Sequence, residues 1–146
     1  MRNRTIERRQ GIEHRSGCPL ASALDIVGDR WSLLIVRSMF VGATRYGDFL
    51  KDAERVATNV LADRLERLEC AGLIESYCDD AGVGRYRLTI AGADLLPVLQ
   101  ALARWGQGHI ADRWEPPAWF MKAKASSFYP RPRRASMKKS GALRKA

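Results

Sequence analysis

The sequence predicts a mainly α fold with a small β wing, closed by a long C-terminal helix and flanked by flexible basic arms. Three stretches carry this prediction. From Thr58 to Leu73 the run TNVLADRLERLECAGL sets Val60, Leu61, Leu65, Leu68 and Leu73 on one side of a helix, an apolar face meant for burial. Its other side carries Thr58, Asn59, Asp63, Glu66 and Arg67. Leu73 to Cys78 and Arg85 to Thr89 then read as two short strands around the turn formers DDAGVG. Beyond Thr89, Leu95, Leu96, Val98, Leu99, Leu102, Trp105 and Ile110 recur as the apolar positions of a further helix. Helix, strand, glycine-rich turn, strand is the order of a recognition helix followed by a β wing; an ordinary amphipathic helix beside an ordinary hairpin has the same order.

Taken in order, the folded part opens at Cys18. Pro19 suits the first position of a helix, because its missing N–H has no partner there in any case. Leu20, Ala23, Leu24 and Val27 form one apolar stripe, which Gly28 and Asp29 interrupt. Trp31 begins a second helix, WSLLIVRSMFV, apolar on most faces and expected at the centre of the core, and Gly42 ends it. A third short helix is expected from Arg45 to Ala53, with Tyr46, Phe49 and Leu50 inward. Glu54 to Ala57 then matches the length of a helix-turn-helix connection. Gly72 stops the Thr58 helix, since glycine enters the left-handed conformation at a C-terminal cap without penalty. Thr89 caps the final helix, in which Pro97 is tolerable only within the first turn or with a slight kink. At about 1.5 Å per residue that helix would be roughly 30 Å long, more apolar surface than one small core uses. The surplus, Leu95, Leu99, Leu102 and Trp105, is expected on a second subunit, the alternative being that it closes the same core.

Composition bounds the function. The chain has 146 residues and a net charge of +9, enough for one domain with a core and too short to expect two. The basic excess lies in the ends: residues 1–17 carry +3, residues 116–146 carry +9, and residues 18–115 carry −3. The expected division is a flexible basic N-terminal arm (1–17), a folded winged-helix domain (18–114) and a flexible basic C-terminal tail (115–146). The ends lack apolar periodicity, so little burial offsets the entropy of ordering them. Such arms either contact phosphate without sequence preference or serve only solubility. Arg30 and Arg37 bracket the best apolar window, which is too short to span a membrane. No apolar segment follows the basic N-terminus, so a cytoplasmic protein is expected. Cys18, Cys70 and Cys78 lack metal-ligand spacing and are odd in number. His14 and His109 have no partner cluster, and there is no phosphate-binding glycine loop. Neither an enzyme, a metal site nor a cofactor is indicated.

The motifs together resemble the HxlR-type winged helix-turn-helix transcriptional regulators of bacteria. The resemblance rests on CPLASALDIVGDRW (Cys18 to Trp31), RYGDFL (Arg45 to Leu50), VLADRLERLECAGLIE (Val60 to Glu75), YRLTIAG (Tyr86 to Gly92) and LLPVLQALARWGQGH (Leu95 to His109). It implies a homodimer on a two-fold symmetric operator in double-stranded DNA, with helices from both ends of the fold making the dimer contact and repression as the default outcome. Three departures stand out. Ala57 replaces the usual Ser before the recognition helix, so capping falls to Thr58 or is lost, at about 1 kcal/mol. The wing is shorter and lacks its usual prolines, and Ser76 stands where arginine is common.

Groove geometry then nominates residues. A helix enters the major groove with its first turns against base edges, so Thr58, Asn59, Ala62 and Asp63 are placed to read sequence. The Asn59 amide suits a bidentate pair with adenine. Asp63 either accepts from cytosine or orients a neighbouring arginine. Arg64 reaches phosphate or pairs with Asp63 or Glu66. Arg45, with Arg85 and Arg87 on the wing, is placed to hold the backbone, solvated surface charge being the alternative for each. Cys18 lies at a helix start, where the dipole favours thiolate. Some relatives sense oxidants or electrophiles there; a small packing residue is the other reading. Cys70 and Cys78 are expected to pack near helix and wing. A second class of function remains open, a non-specific nucleic-acid-associated or protein-docking winged-helix protein whose arms do the binding. The effector is not legible.

Overall fold

The computed structural model of the chain describes residues 12–132. Residues 1–11 of the expected N-terminal arm and 133–146 of the expected C-terminal tail lie outside the described residues. The elements run α1 (Pro19–Val27), α2 (Ser32–Phe40), α3 (Tyr46–Phe49), α4 (Thr58–Cys70), β1 (Ile74–Cys78), β2 (Gly84–Leu88), α5 (Ile90–Ala93), α6 (Leu96–His109) and α7 (Ala118–Lys122), with a 3₁₀ turn at Ala125–Phe128. This is the expected winged helix: a mostly helical chain with one antiparallel hairpin.

The core forms where the apolar faces of α2 and α4 meet the wing base. Ile35, Val36, Met39 and Phe40 of α2 pack with Phe49, Leu61, Leu65, Leu68, Ile74 and Leu96. Burying each such side chain contributes about 1.5–3 kcal/mol. The α4 helix stops where Gly72 takes φ +76, and the Leu73 amide reaches back to the Leu68 carbonyl at 3.0 Å. The strands pair from Ile74 opposite Leu88 to Cys78 opposite Gly84. Thr89 caps the next helix, its hydroxyl accepting from the Gly92 amide at 3.1 Å. Gly92 packs so tightly that a β-carbon there would lie 1.9 Å from the Leu73 carbonyl oxygen.

Several expectations are corrected. The third helix ends at Phe49 rather than Ala53, because α2 captures the residues that follow. The Ser38 hydroxyl donates to Asp52, and Arg37 donates two hydrogen bonds to Glu54, at 2.8 and 2.9 Å. Of its three expected inward side chains only Phe49 is buried; Tyr46 and Leu50 are exposed. The long C-terminal helix divides into α5 and α6, because Pro97 lies at the start of α6 and in a continuous helix its ring would strike the carbonyl of residue 93. At 14 residues α6 is about 21 Å long. Ala57 is the N-cap of α4 and provides no side-chain bond, with Thr58 already inside the helix, so the cap is lost.

The largest correction falls beyond residue 115. Residues 118–129 are a strap packed on the core, not a free tail. Phe120 is buried, and Met121, Phe128 and Tyr129 pack against the core cluster. The ring of Phe128 meets Phe40 edge-on with centroids 4.8 Å apart. The charge of the segment masked its aromatic content, and helical turns of four or five residues are too short to show periodicity.

Candidate nucleic-acid interface

The first two turns of α4 present Thr58, Asn59, Ala62 and Asp63 to solvent while Leu61, Leu65 and Leu68 hold the opposite face in the core. Three neighbours fix this helix. The Tyr46 hydroxyl donates to the Thr58 carbonyl at 2.7 Å. Glu69 accepts from the Ser76 amide and hydroxyl at 2.9 and 2.6 Å, tying α4 to β1. Arg64 ties it to the turn between α1 and α2: Nε lies 2.9 Å from Asp29 Oδ2 without hydrogen-bond alignment, and Nη1 donates to Asp63 at 2.7 Å. Asp29 in turn accepts from the Trp31 and Ser32 amides and the Ser32 hydroxyl. Burial raises the Asp29 pKa, but these donors and Arg64 outweigh it and hold the carboxyl below its ordinary value. Arg64 thus braces α4 within the domain through Asp63 and Asp29.

The turn into α4 places Arg55, exposed and at φ +51, just before the recognition helix. Arg67 is exposed at its last turn. Sequence reasoning nominated neither; the position of Arg55 between two helices of the motif was the available signal. Arg45 is exposed at the start of α3, its amide donating to Asp48 at 2.9 Å. These backbone amides, Arg45 first and then Thr44, hold the Asp48 carboxyl below its ordinary value.

On the wing, Arg85 and Arg87 are each engaged by acids. Arg85 Nε donates to Asp79 at 2.6 Å and its Nη1 to Thr44 at 2.8 Å. Asp79 also accepts from the Ala81 and Val83 amides, folding the tip around Gly82 at φ +77. Arg85 foremost, then these amides, hold Asp79 below the usual carboxylate range. Arg87 Nε donates to Glu75 at 2.6 Å, and its guanidinium lies over the Tyr77 ring. The wing is therefore internally neutralised at its base and tip.

The expected dimer residues divide. Leu99 is buried in the core at 8% exposure and Leu95 packs against it, whereas Leu102 and Trp105 stand 52% and 59% exposed. The α1 stripe is likewise open, with Leu20 69% and Leu24 50% exposed. Cys18 is the exposed N-cap residue of α1, and Cys70 and Cys78 are exposed too, so none of the three is a packing residue of this subunit. Among the described residues no group of three or more His, Cys, Asp or Glu side chains could hold a metal ion. No helix among them is long and apolar enough to cross a membrane.

Residues 26–113 match the family described as HxlR-like helix-turn-helix. The chain is similar to the HTH-type transcriptional regulator Rv3095 of Mycobacterium tuberculosis, with 35% identity covering 73% of this chain and 68% of that protein. It is also similar to the HTH-type transcriptional regulator YdeP of Bacillus subtilis, with 32% identity covering 73% and 85%. Among solved structures, PA1607 superposes with a TM-score of 0.65 at 34% identity, covering 80% of this chain and 89% of that one. The redox regulator HypR in its oxidized form superposes with a TM-score of 0.56 at 26% identity, covering 63% and 97%.

Proposed function

This chain belongs to the HxlR-like helix-turn-helix family and is a DNA-binding transcriptional regulator rather than an enzyme, and on that footing we propose that it represses transcription in the cytoplasm as a homodimer on a two-fold symmetric operator. The observation that carries the reading is the solvent-facing start of α4. Thr58, Asn59, Ala62 and Asp63 lie together on a helix whose back is locked into the core. Asn59 reads adenine through its amide, and the Asp63 carboxylate orients Arg64. Arg45 and Arg55 flank the helix start and face the phosphate backbone. The open apolar stripes of α1 and α6, Leu20 and Leu24 with Leu102 and Trp105, meet their copies in the dimer. Two recognition helices related by that axis suit half-sites roughly 34 Å apart.

The test is selection of bound duplexes from a random pool by the full-length protein at about 150 mM salt. Enrichment of one inverted repeat is expected. Asn59→Ala then relaxes one position in each half-site, at about 1–3 kcal/mol of discrimination. Binding that enriches nothing and vanishes as salt rises would instead leave the basic ends as the only DNA contact.

A redox or electrophile response through Cys18 is part of the same proposal. Its support is the exposed position of Cys18 at the start of α1 and the similarity to the redox regulator HypR. Diamide or a quinone is expected to weaken operator binding by the wild type and not by Cys18→Ser. Equal sensitivity of the two proteins removes Cys18 from the function.

A further inference from the structure

We propose that Arg64 is a positioning residue: through Asp29 it transmits the direction of α1 to the base-facing side of α4, and so sets the half-site spacing that the dimer accepts. This rests on the homodimer and operator reading above and deepens it by naming a specificity determinant that touches no base.

The turn between α1 and α2 is a fixed corner. Val27, the last residue of α1, is its buried one, while Leu20 and Leu24 stay open. At Gly28 a β-carbon would lie 2.3 Å from the Leu24 carbonyl oxygen, so the chain turns there without room for a side chain. Asp29 then accepts from the Trp31 amide at 2.9 Å, the Ser32 amide at 3.1 Å and the Ser32 hydroxyl, and Ser32 is itself buried. The direction in which α1 leaves the core is therefore set at its C-terminal end, beside the bonds that hold the Asp29 carboxylate still.

Arg64 joins that corner to the recognition helix. Its Nε lies 2.9 Å from Asp29 Oδ2, and its Nη1 donates to Asp63 at 2.7 Å. One planar guanidinium thus spans a carboxylate fixed at the end of α1 and another on the solvent face of α4. The Arg64 and Asp29 side chains are each 21% exposed, so salt screens this pair less than an open surface pair. The other two polar ties on α4 lead elsewhere, Tyr46 belonging to α3 and Ser76 to the wing. The leucine face of α4 resists withdrawal from the core, but apolar attraction is non-directional. The attitude of α4 toward α1 is left to Arg64.

Spacing is the property such a tie controls. A half-site moved by one base pair shifts about 3.4 Å along the duplex and turns roughly 35° around it. A dimer that uses α1 rejects that shift only if each α4 keeps a fixed attitude to its own α1. Asn59, about 7.5 Å along the helix from Arg64, swings with any change in that attitude.

The test measures the affinity of the full-length protein for the selected inverted repeat and for versions one and two base pairs longer and shorter. The wild type should bind the selected spacing at least about tenfold tighter than its neighbours, a loss like that of a mismatched base pair. Asp29→Asn keeps an oxygen for the Trp31 and Ser32 amides, and with it the start of α2. Arg64→Lys keeps the charge but cannot reach two carboxylates as a fork. In both variants the ratio should fall to about threefold or less, and the double variant should lose no more than either single one, because both break one contact. The adenine position read by Asn59 should be retained. Affinity that falls by the same factor at every spacing would overturn the proposal and reduce Arg64 to a stabilising contact. A wild type indifferent to spacing would overturn it too, as would a broadened preference in Arg64→Lys alone. Urea midpoints of the variants establish that folded proteins are being compared. Failure of the wild type to select any inverted repeat strikes the operator reading itself, and is visible without either variant.

Discussion

The Tyr46 hydroxyl donates a 2.7 Å hydrogen bond to the carbonyl of Thr58, so α3 holds the recognition helix by its first residue. The bond joins residues 12 apart across a turn that has no other helical continuity. Tyr46→Phe keeps the ring and removes the donor. The exposed site lets water replace part of the bond, so urea unfolding should show a loss of about 1 kcal/mol or less. Operator affinity should fall several-fold while non-specific binding stays constant. An unchanged operator affinity would mean that α4 is positioned by its buried face alone.

Ala57 occupies the N-cap of α4 with extended backbone, φ −68 and ψ 146, and offers no side-chain acceptor to the amides of the first turn. Ala57→Ser fits that backbone without strain. It should stabilise the protein by about 1 kcal/mol, measured as a shift of the urea midpoint at constant slope.

The Arg37–Glu54 pair gives stability a defined acid dependence. The hydrogen bonds from Arg37 hold the Glu54 carboxyl down from 4.5 to about 2. A carboxyl depressed in the folded state contributes fully above its unfolded pKa and loses that contribution as pH falls through the folded one. Both side chains are about a third exposed, so screening reduces the effect to about 1 kcal/mol. The difference in unfolding free energy between the wild type and Glu54→Gln should therefore be about that size at pH 7. It should shrink between pH 4.5 and pH 2. A difference independent of pH would show that Glu54 acts by packing rather than charge.

In the proposed dimer, Leu102 and Trp105, exposed on the single chain, leave solvent against a second copy. The double variant Leu102→Glu, Trp105→Glu should sediment as a monomer at concentrations where the wild type is a dimer, with its helical circular dichroism retained. Each side chain accounts for about 1.5–3 kcal/mol of buried apolar surface. Leu99→Ala, by contrast, opens a cavity inside the subunit and should lower stability by about 2–5 kcal/mol. A dimeric double variant would move the interface elsewhere.

What the chain determined by itself is local. The spacing of Leu61, Leu65 and Leu68, the left-handed stop at Gly72, the cap at Thr89 and the turn around Gly82 act within a few residues, and each element appears where those signals lie. The solvent-facing group Thr58, Asn59, Ala62 and Asp63 was legible for the same reason, being one face of one helix. Periodicity marks a face as apolar without saying what covers it. Tertiary structure decided that Leu99 enters the core while Leu102 and Leu20 stay open, that Arg64 spends its charge on Asp29 35 positions earlier, and that Ser38 and Arg37 cut the third helix short by holding Asp52 and Glu54. It also decided that the aromatic residues within a basic C-terminal segment dock on α2 and α6. Such pairings form between residues distant in sequence, where the entropy of closing the loop is met by burial and charge neutralisation together, and neither partner alone carries a sign of the other.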